Sequence, residues 1–144
     1  MKRILYIPFL LIFLLGCKSK ENDGVAAQEL AYSLAGSWQM TETEMTINNK
    51  KVWQADTSKN LQYLNFSPEA VLLDKNGKAG CCAAREYNIN GNLYKIDPQV
   101  WASYYDEACE LVNCFGCQRL DIEYFGKEMI MTGCTGIRVK YVKN

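Results

Sequence analysis

The period of the chain changes at Gly36, and that change limits the fold more than any other feature. Before it, residues 27–35 place Leu30 and Leu34 four apart, the spacing of one helix face, with Gly36 suited to end a short helix. After it, apolar and polar residues alternate in Trp38-Gln39-Met40, Met45-Thr46-Ile47, Leu64-Asn65-Phe66, Leu120 to Tyr124 and Ile137 to Tyr141. Such alternation puts successive side chains on opposite faces of a strand. Asn48-Asn49, Ser67-Pro68, Asn76-Gly77, Asn90-Gly91, Gly126-Lys127 and Gly133 punctuate the runs. Asn-Gly between alternating runs signals a hairpin, because a type I′ turn needs positive φ at both central residues. Short strands separated by turns every roughly 8–12 residues predict an all-β sandwich or an antiparallel up-and-down barrel. Pro98–Leu111, with Val100, Tyr104 and Leu111 able to share one face, predicts a helix or a structured loop.

The first strand contains a conflict of phase. If Trp38 and Met40 point inward, so should residues 42 and 44, which are Glu42 and Glu44. A bulge within Thr41–Thr43 would shift the register and turn both carboxylates outward. The alternative is a polar lumen, since an unpaired charge is too costly in a dry core. The bulge is the simpler solution.

The amino terminus is of a different kind. Lys2 and Arg3 precede the largely apolar run Ile4–Leu15, which is shorter than the roughly 20 residues needed to span a bilayer. A charged start, a short apolar stretch and small residues at its end make a secretory signal. The closing Leu14-Leu15-Gly16-Cys17 resembles the bacterial lipobox. That resemblance implies cleavage after residue 16 and diacylglycerylation of the Cys17 thiol, usually with acylation of the new amino terminus. Two or three acyl chains, at about 0.8 kcal/mol per buried methylene, anchor a protein stably where one does not. Residues 17–28 are polar without an apolar period and read as a flexible tether. Lys18, rather than Asp, follows the cysteine, which in the lipoprotein reading favours the outer membrane of a Gram-negative cell, on its periplasmic or surface face.

Other motifs, in order along residues 34–142, resemble a lipocalin-like domain. Leu34-Ala35-Gly36-Ser37-Trp38 is similar to the L-x-G-x-W opening of that family's first strand. Leu64-Asn65-Phe66-Ser67-Pro68, Tyr87-Asn88-Ile89-Asn90-Gly91-Asn92-Leu93 and the pair from Leu120 to Met131 resemble its later hairpins. The departure is at the first of these, where the family's usual glycine is Glu69 or a later residue. The resemblance implies an antiparallel up-and-down barrel over residues 29–144, with a short N-terminal helix. It also implies that Trp38 closes the barrel base beneath Arg138, a cation–π contact of about 0.5–2 kcal/mol. Alternation opposes this pairing, because Arg138 points outward if Ile137 and Val139 point inward.

Behind Cys17 lie Cys81, Cys82, Cys109, Cys114, Cys117 and Cys134. An even number in a small exported domain reads as a disulfide framework. Cys81 and Cys82, adjacent in an expected strand, should take different partners. A hairpin turning at Gly126-Lys127 brings Cys117 near Cys134, so Cys117 or Cys114 should bond to Cys134. The remaining cysteines would tie Cys81 and Cys82 to the Cys109–Cys117 loop. Two other readings use Cys114-Phe115-Gly116-Cys117, whose spacing suits a redox site or half a zinc site. The first lacks the usual βαβ context, and the second would need four thiolates, so disulfides are preferred.

The chain has no histidine, which removes the commonest general base, the commonest metal ligand and every Ser-His or Cys-His pair. Sixteen basic and sixteen acidic residues, two of the basic ones lost with the signal, leave no basic excess for nucleic acid. No cofactor is implied. Three functions stay open. The first is a lipid-anchored binding module holding a small, partly apolar ligand at a mouth lined by Trp53, Tyr63, Trp101, Tyr104 and Tyr105. The second is a structural or protein-interaction module of the outer membrane, its barrel filled. The third is an enzyme, which would need inward Glu42 or Glu44 or a redox-active Cys114–Cys117 pair; it is not favoured. Replacing Cys17 by Ser is expected to leave the precursor uncut and without lipid, as read by mass spectrometry of the membrane fraction.

Overall fold

The computed structural model describes residues 21–144, with side chains from residue 26 onward. Helix α1 (Glu21–Ser33) leads into the long strand β1 (Gly36–Ile47), which is followed by β2 (Lys50–Ala55), β3 (Tyr63–Phe66) and β4 (Leu72–Leu73). The hairpin β5 (Glu86–Ile89) and β6 (Asn92–Lys95) precedes helix α2 (Pro98–Tyr104) and a 3-10 turn at Glu107–Leu111. Strands β7 (Arg119–Tyr124), β8 (Glu128–Thr132) and β9 (Arg138–Lys143) complete the sheet.

Glu21 is the first described residue and is already helical, so the stretch expected to be a tether is helical over residues 21–28. The signal missed was carried by small residues: Ala27 and Ala31 are buried against the sheet. Cys17 and residues 1–16 lie outside the described residues. The helix stops before Gly36, which opens β1 with φ 117. The Pro98–Leu111 segment resolves into both expected forms, a helix and then a tighter turn. Asp97 caps the first by accepting from the Gln99 amide at 2.7 Å, and Asp106 caps the second by accepting from Ala108 at 2.9 Å.

The strands form one mixed sheet in the order β4-β3-β1-β9-β8-β7-β5-β6, with β2 extending the free half of β1. The sheet curls into an open half-barrel, not the closed up-and-down barrel expected. In an up-and-down barrel β6 would neighbour β7. Here β5 takes that place and pairs with β7 in parallel, from Glu86↔Arg119 to Ile89↔Ile122. A parallel neighbour needs a crossover of a dozen or more residues, and the segment from Ile96 to Gln118 supplies one. Asn90-Gly91 makes the expected hairpin turn with φ 51 and 85, and the Asn48-Asn49 turn also takes positive φ, 50 and 60. Asn76-Gly77 turns a minimal hairpin, a single antiparallel bridge of Leu73 with Ala79, and Asp74 braces it by accepting from the amides of Asn76 at 2.8 Å and Lys78 at 2.9 Å.

The bulge falls on Thr41. Met40 pairs with Tyr141 but Glu42 pairs with Lys140, so one residue of β1 has no partner on β9. Thr41 uses its position fully. Its hydroxyl donates to the Lys140 carbonyl at 3.2 Å and its own carbonyl accepts from Asp56 at 2.8 Å. Met40 then stays inward with Tyr141, while Glu42 and Glu44 turn to the outer face. There Glu42 pairs with Lys140, and Glu44 meets Arg138 at 2.9 Å and Lys51 at 2.8 Å.

The concave face is filled by Trp38, Tyr87, Ile89, Ile122, Met129 and Val71, each essentially inaccessible to solvent, with Leu34 of the helix connection above them. Trp38 ties four segments together. Its Nε1–H donates to the Leu34 carbonyl at 2.7 Å, and its ring meets Tyr124 edge-on at 6.2 Å. Lys143 Nζ sits 5.3 Å from the ring centre and donates to the Ser33 carbonyl at 2.9 Å. The Lys143 ammonium thus caps the negative end of α1. Trp38→Phe should destabilise the fold by about 1–3 kcal/mol, because it leaves a buried carbonyl without its donor. Urea unfolding followed by far-UV circular dichroism would measure the loss, and an unchanged midpoint would contradict this role.

Candidate functional site

All six described cysteines are paired: Cys81–Cys109, Cys82–Cys114 and Cys117–Cys134, with Cα separations of 5.0, 5.3 and 5.4 Å. The adjacent cysteines take different partners as expected, although they lie in a turn between β4 and β5 and not in a strand. Cys114 and Cys117 bond to different partners, so the C-x-x-C spacing forms neither a redox dithiol nor half of a thiolate metal set. Three disulfides mark a chain that folds in an oxidising, non-cytoplasmic compartment. Gly116 is required by the crowding they create, since a Cβ there would lie 2.9 Å from the Cys82 carbonyl oxygen.

The bridges frame a cleft of about 560 Å³ between the Cys109–Gln118 loop and the start of β5. Its wall includes Arg85, Glu86, Tyr105 and Gln118 beside the sulfurs. The Gln118 carbonyl accepts from the amides of Arg85 at 3.3 Å and Glu86 at 3.2 Å, which sets the loop against the strand. Glu86 is held between Lys95 at 2.8 Å and Arg119 at 3.0 Å, and these cations keep its carboxyl below the usual range. The Arg85 guanidinium lies 4.7 Å from the centre of the buried Trp101 ring. A second cleft of about 440 Å³ separates Ala27 and Gln28 of α1 from Leu93, Tyr94, Lys95 and Asp97.

The five aromatics expected to line one mouth do not meet. Trp53 pairs with Glu44 and therefore lies on the outer face, under Lys140 at 4.6 Å and Arg138 at 5.5 Å. Tyr63 is exposed at the start of β3, and Trp101 is core. Tyr104 is turned to the seam between sheet edges, and Tyr105 alone borders the larger cleft. Nor does Arg138 reach Trp38. The bulge and the alternation of β9 direct it outward, to Glu44 at 2.9 Å, Glu123 at 2.6 Å and the Trp53 ring. The cation over Trp38 is Lys143.

A polar cluster missed by sequence reasoning joins the edges that the sheet leaves unpaired. Glu69 sits in the Ser67–Val71 turn, where Ser67 Oγ accepts from the amides of Glu69 at 3.2 Å and Val71 at 3.1 Å. The Glu69 carboxylate accepts from the hydroxyls of Tyr104 at 2.9 Å and Ser67 at 3.0 Å, and the Tyr94 hydroxyl donates to the Glu69 carbonyl at 3.2 Å. One turn thereby links β6, α2 and the β3–β4 edge. Nothing in the string Ser67-Pro68-Glu69-Ala70 announces this, because both tyrosines are more than 20 residues away along the chain.

Comparison with known proteins finds no matching family model, no similar curated protein and no similar solved structure.

The Tyr104 hydroxyl is the main reason the Glu69 carboxyl is held below its ordinary value, with the backbone and Ser67 assisting. A folded pKa lower than the unfolded one adds stability above the unfolded value of about 4.3 and loses it as pH falls through the folded value. Tyr104→Phe should therefore lower stability at pH 7 and narrow the difference between pH 7 and acid. Urea midpoints across pH 3–7 for both proteins test this; parallel curves would refute it. Separately, removing the Cys117–Cys134 bridge with paired serines should cost about 3 kcal/mol, by the entropy of a loop of about 17 residues. Urea unfolding checks the value.

Proposed function

We propose that this chain is an envelope lipoprotein, anchored through acylated Cys17, whose disulfide-tied half-barrel serves as a structural or protein-interaction module. The observation that carries this reading is the filled concave face. Trp38, Tyr87, Ile89, Ile122 and Met129 are each essentially inaccessible to solvent and pack against one another there. A module that works through its surface has no need of a calyx. The lipobox-like Leu14-Leu15-Gly16-Cys17 supports the anchor, and the three disulfides agree with export. Among the described residues, no helix is long and apolar enough to cross a membrane.

The same geometry argues for a non-catalytic role. Glu42 and Glu44, the carboxylates considered for acid–base work, are ion-paired on the outer face, and the Cys114 and Cys117 sulfurs are spent in separate bridges.

A second reading has its own observation. The cleft beside the disulfides has the size of a small-molecule site, with Tyr105 for an apolar contact and Arg85 and Gln118 for polar ones. A small, partly apolar ligand would bind there, at the surface and not inside the barrel. Native mass spectrometry of the exported, lipidated protein separates the two readings. The first expects the mass of the acylated chain with three disulfides and nothing retained. A stoichiometric small molecule, lost on replacing Arg85 by Ala, would establish the second in its place.

A further inference from the structure

Strand registers place a group of exposed apolar side chains at one end of the half-barrel, away from Trp38. At the Trp38 end, Trp38 pairs with Lys143; towards the other end, Thr43 pairs with Val139 and Thr132 with Arg138. Beyond its last β9 partner, β1 continues as a hairpin with β2, whose tip carries Met45 opposite Val52 and then Ile47. The Cys109–Gln118 loop reaches the same end, because it enters β7 at Arg119, beyond the Asp121↔Thr132 pair. It presents Leu111 and Phe115, which are 95% and 92% exposed. Three disulfides fasten this loop, so its apolar side chains are held out from the core at the same end as the hairpin tip.

The helix leads to the same end. The C-terminal end of α1 lies at Trp38, where Lys143 holds the Ser33 carbonyl. From there the helix passes β6, with Ala27 and Gln28 beside Leu93, Tyr94, Lys95 and Asp97, so it runs from the Trp38 end towards the end at which the Cys109–Gln118 loop enters the sheet. Cys17 precedes Glu21 by four residues, a reach of at most about 14 Å. Lipid on Cys17 would therefore meet a bilayer at the end of the half-barrel that carries Ile47, Leu111 and Phe115. Exposed Lys50 at the hairpin tip suits a phosphate headgroup, while Lys51 is paired with Glu44 and the loop carries Glu107 and Glu110. Apolar burial is thus the main attraction.

We infer that the end of the half-barrel bearing Ile47, Leu111 and Phe115 is its membrane face, seated on the phospholipid leaflet that holds the Cys17 acyl chains. This rests on the lipoprotein reading above. The apolar tips lie at the headgroup–acyl boundary, as interfacial anchors do. The protein then stands upright on the membrane, with Trp38 and the Phe125 turn directed away from it.

The test uses the full-length protein exported, processed and purified in its lipidated form, its Cys17 acylation read by mass spectrometry. It is reconstituted into phosphatidylethanolamine–phosphatidylglycerol vesicles with or without acyl-chain bromine, which quenches nearby tryptophan. Phe115→Trp should add emission that is shifted to the blue and lost in brominated vesicles. Phe125→Trp, at the opposite end, should add emission that is unshifted and unquenched. Acylated Phe115→Trp protein whose added emission is unquenched would overturn the inference and turn this end towards a protein partner. Quenching at both positions would overturn it too, since the domain would then lie flat. Absence of acyl chains on Cys17 would refute the lipoprotein reading itself, and the membrane face with it.

Discussion

The half-barrel depends on the hydrogen bond from the Trp38 indole to the Leu34 carbonyl. It is buried, so neither partner has water as an alternative, and breaking it leaves a polar group stranded. The contact fixes the angle at which the helix leaves the sheet. Lys143 repeats the connection from the other side, donating to Ser33 while covering the indole ring. The first and last strands are thereby closed around the end of one helix. That helix then lies along β6 and β5, completing the cover of a sheet that does not close on itself.

An open sheet has edges to satisfy, and besides the branching β2 this one ends in β4 and β6, which it treats differently. β4 has only two residues, and β6 is covered by α1. Short and covered edges are poor templates for pairing with other chains. Between them the Glu69 turn accepts hydroxyl protons from Tyr104 and Tyr94, so side chains do the joining that a closed barrel would do with backbone. At the other end, the disulfides hold the crossover loop where hydrophobic burial is sparse: of the 3-10 turn only Cys109 is buried, while Leu111 is almost fully exposed. Loop closure by covalent bonds lowers the entropy of the unfolded chain and needs no core at that site.

The outer face shows how one inserted residue redistributes function. Without the Thr41 bulge, Glu42 would lie opposite Val139 and both carboxylates would face the core. With it they form an ion-paired surface around Trp53, together with Arg138, Lys140, Lys51 and Glu123. Exposed pairs of this kind contribute little each. Their effect is to keep an aromatic side chain on a solvent-facing sheet covered by cations.

What was legible in the sequence is what depends on near neighbours. Period two marked most of the strands, the Asn pairs and Asn-Gly marked turns with positive φ, and the conflict at Glu42 and Glu44 marked the bulge. Cysteine spacing narrowed the bridges to a short set that contains the observed one. Only the tertiary structure decided that β5 lies parallel to β7, that Arg138 turns from Trp38 to Trp53, that α1 extends back to Glu21, and that Glu69 joins the open edges. Local sterics and alternation act over a few residues and leave a mark in the string. Strand order, face-to-face packing and side-chain closure are set by contacts between residues far apart, where several arrangements satisfy the same local pattern and the packed core selects one.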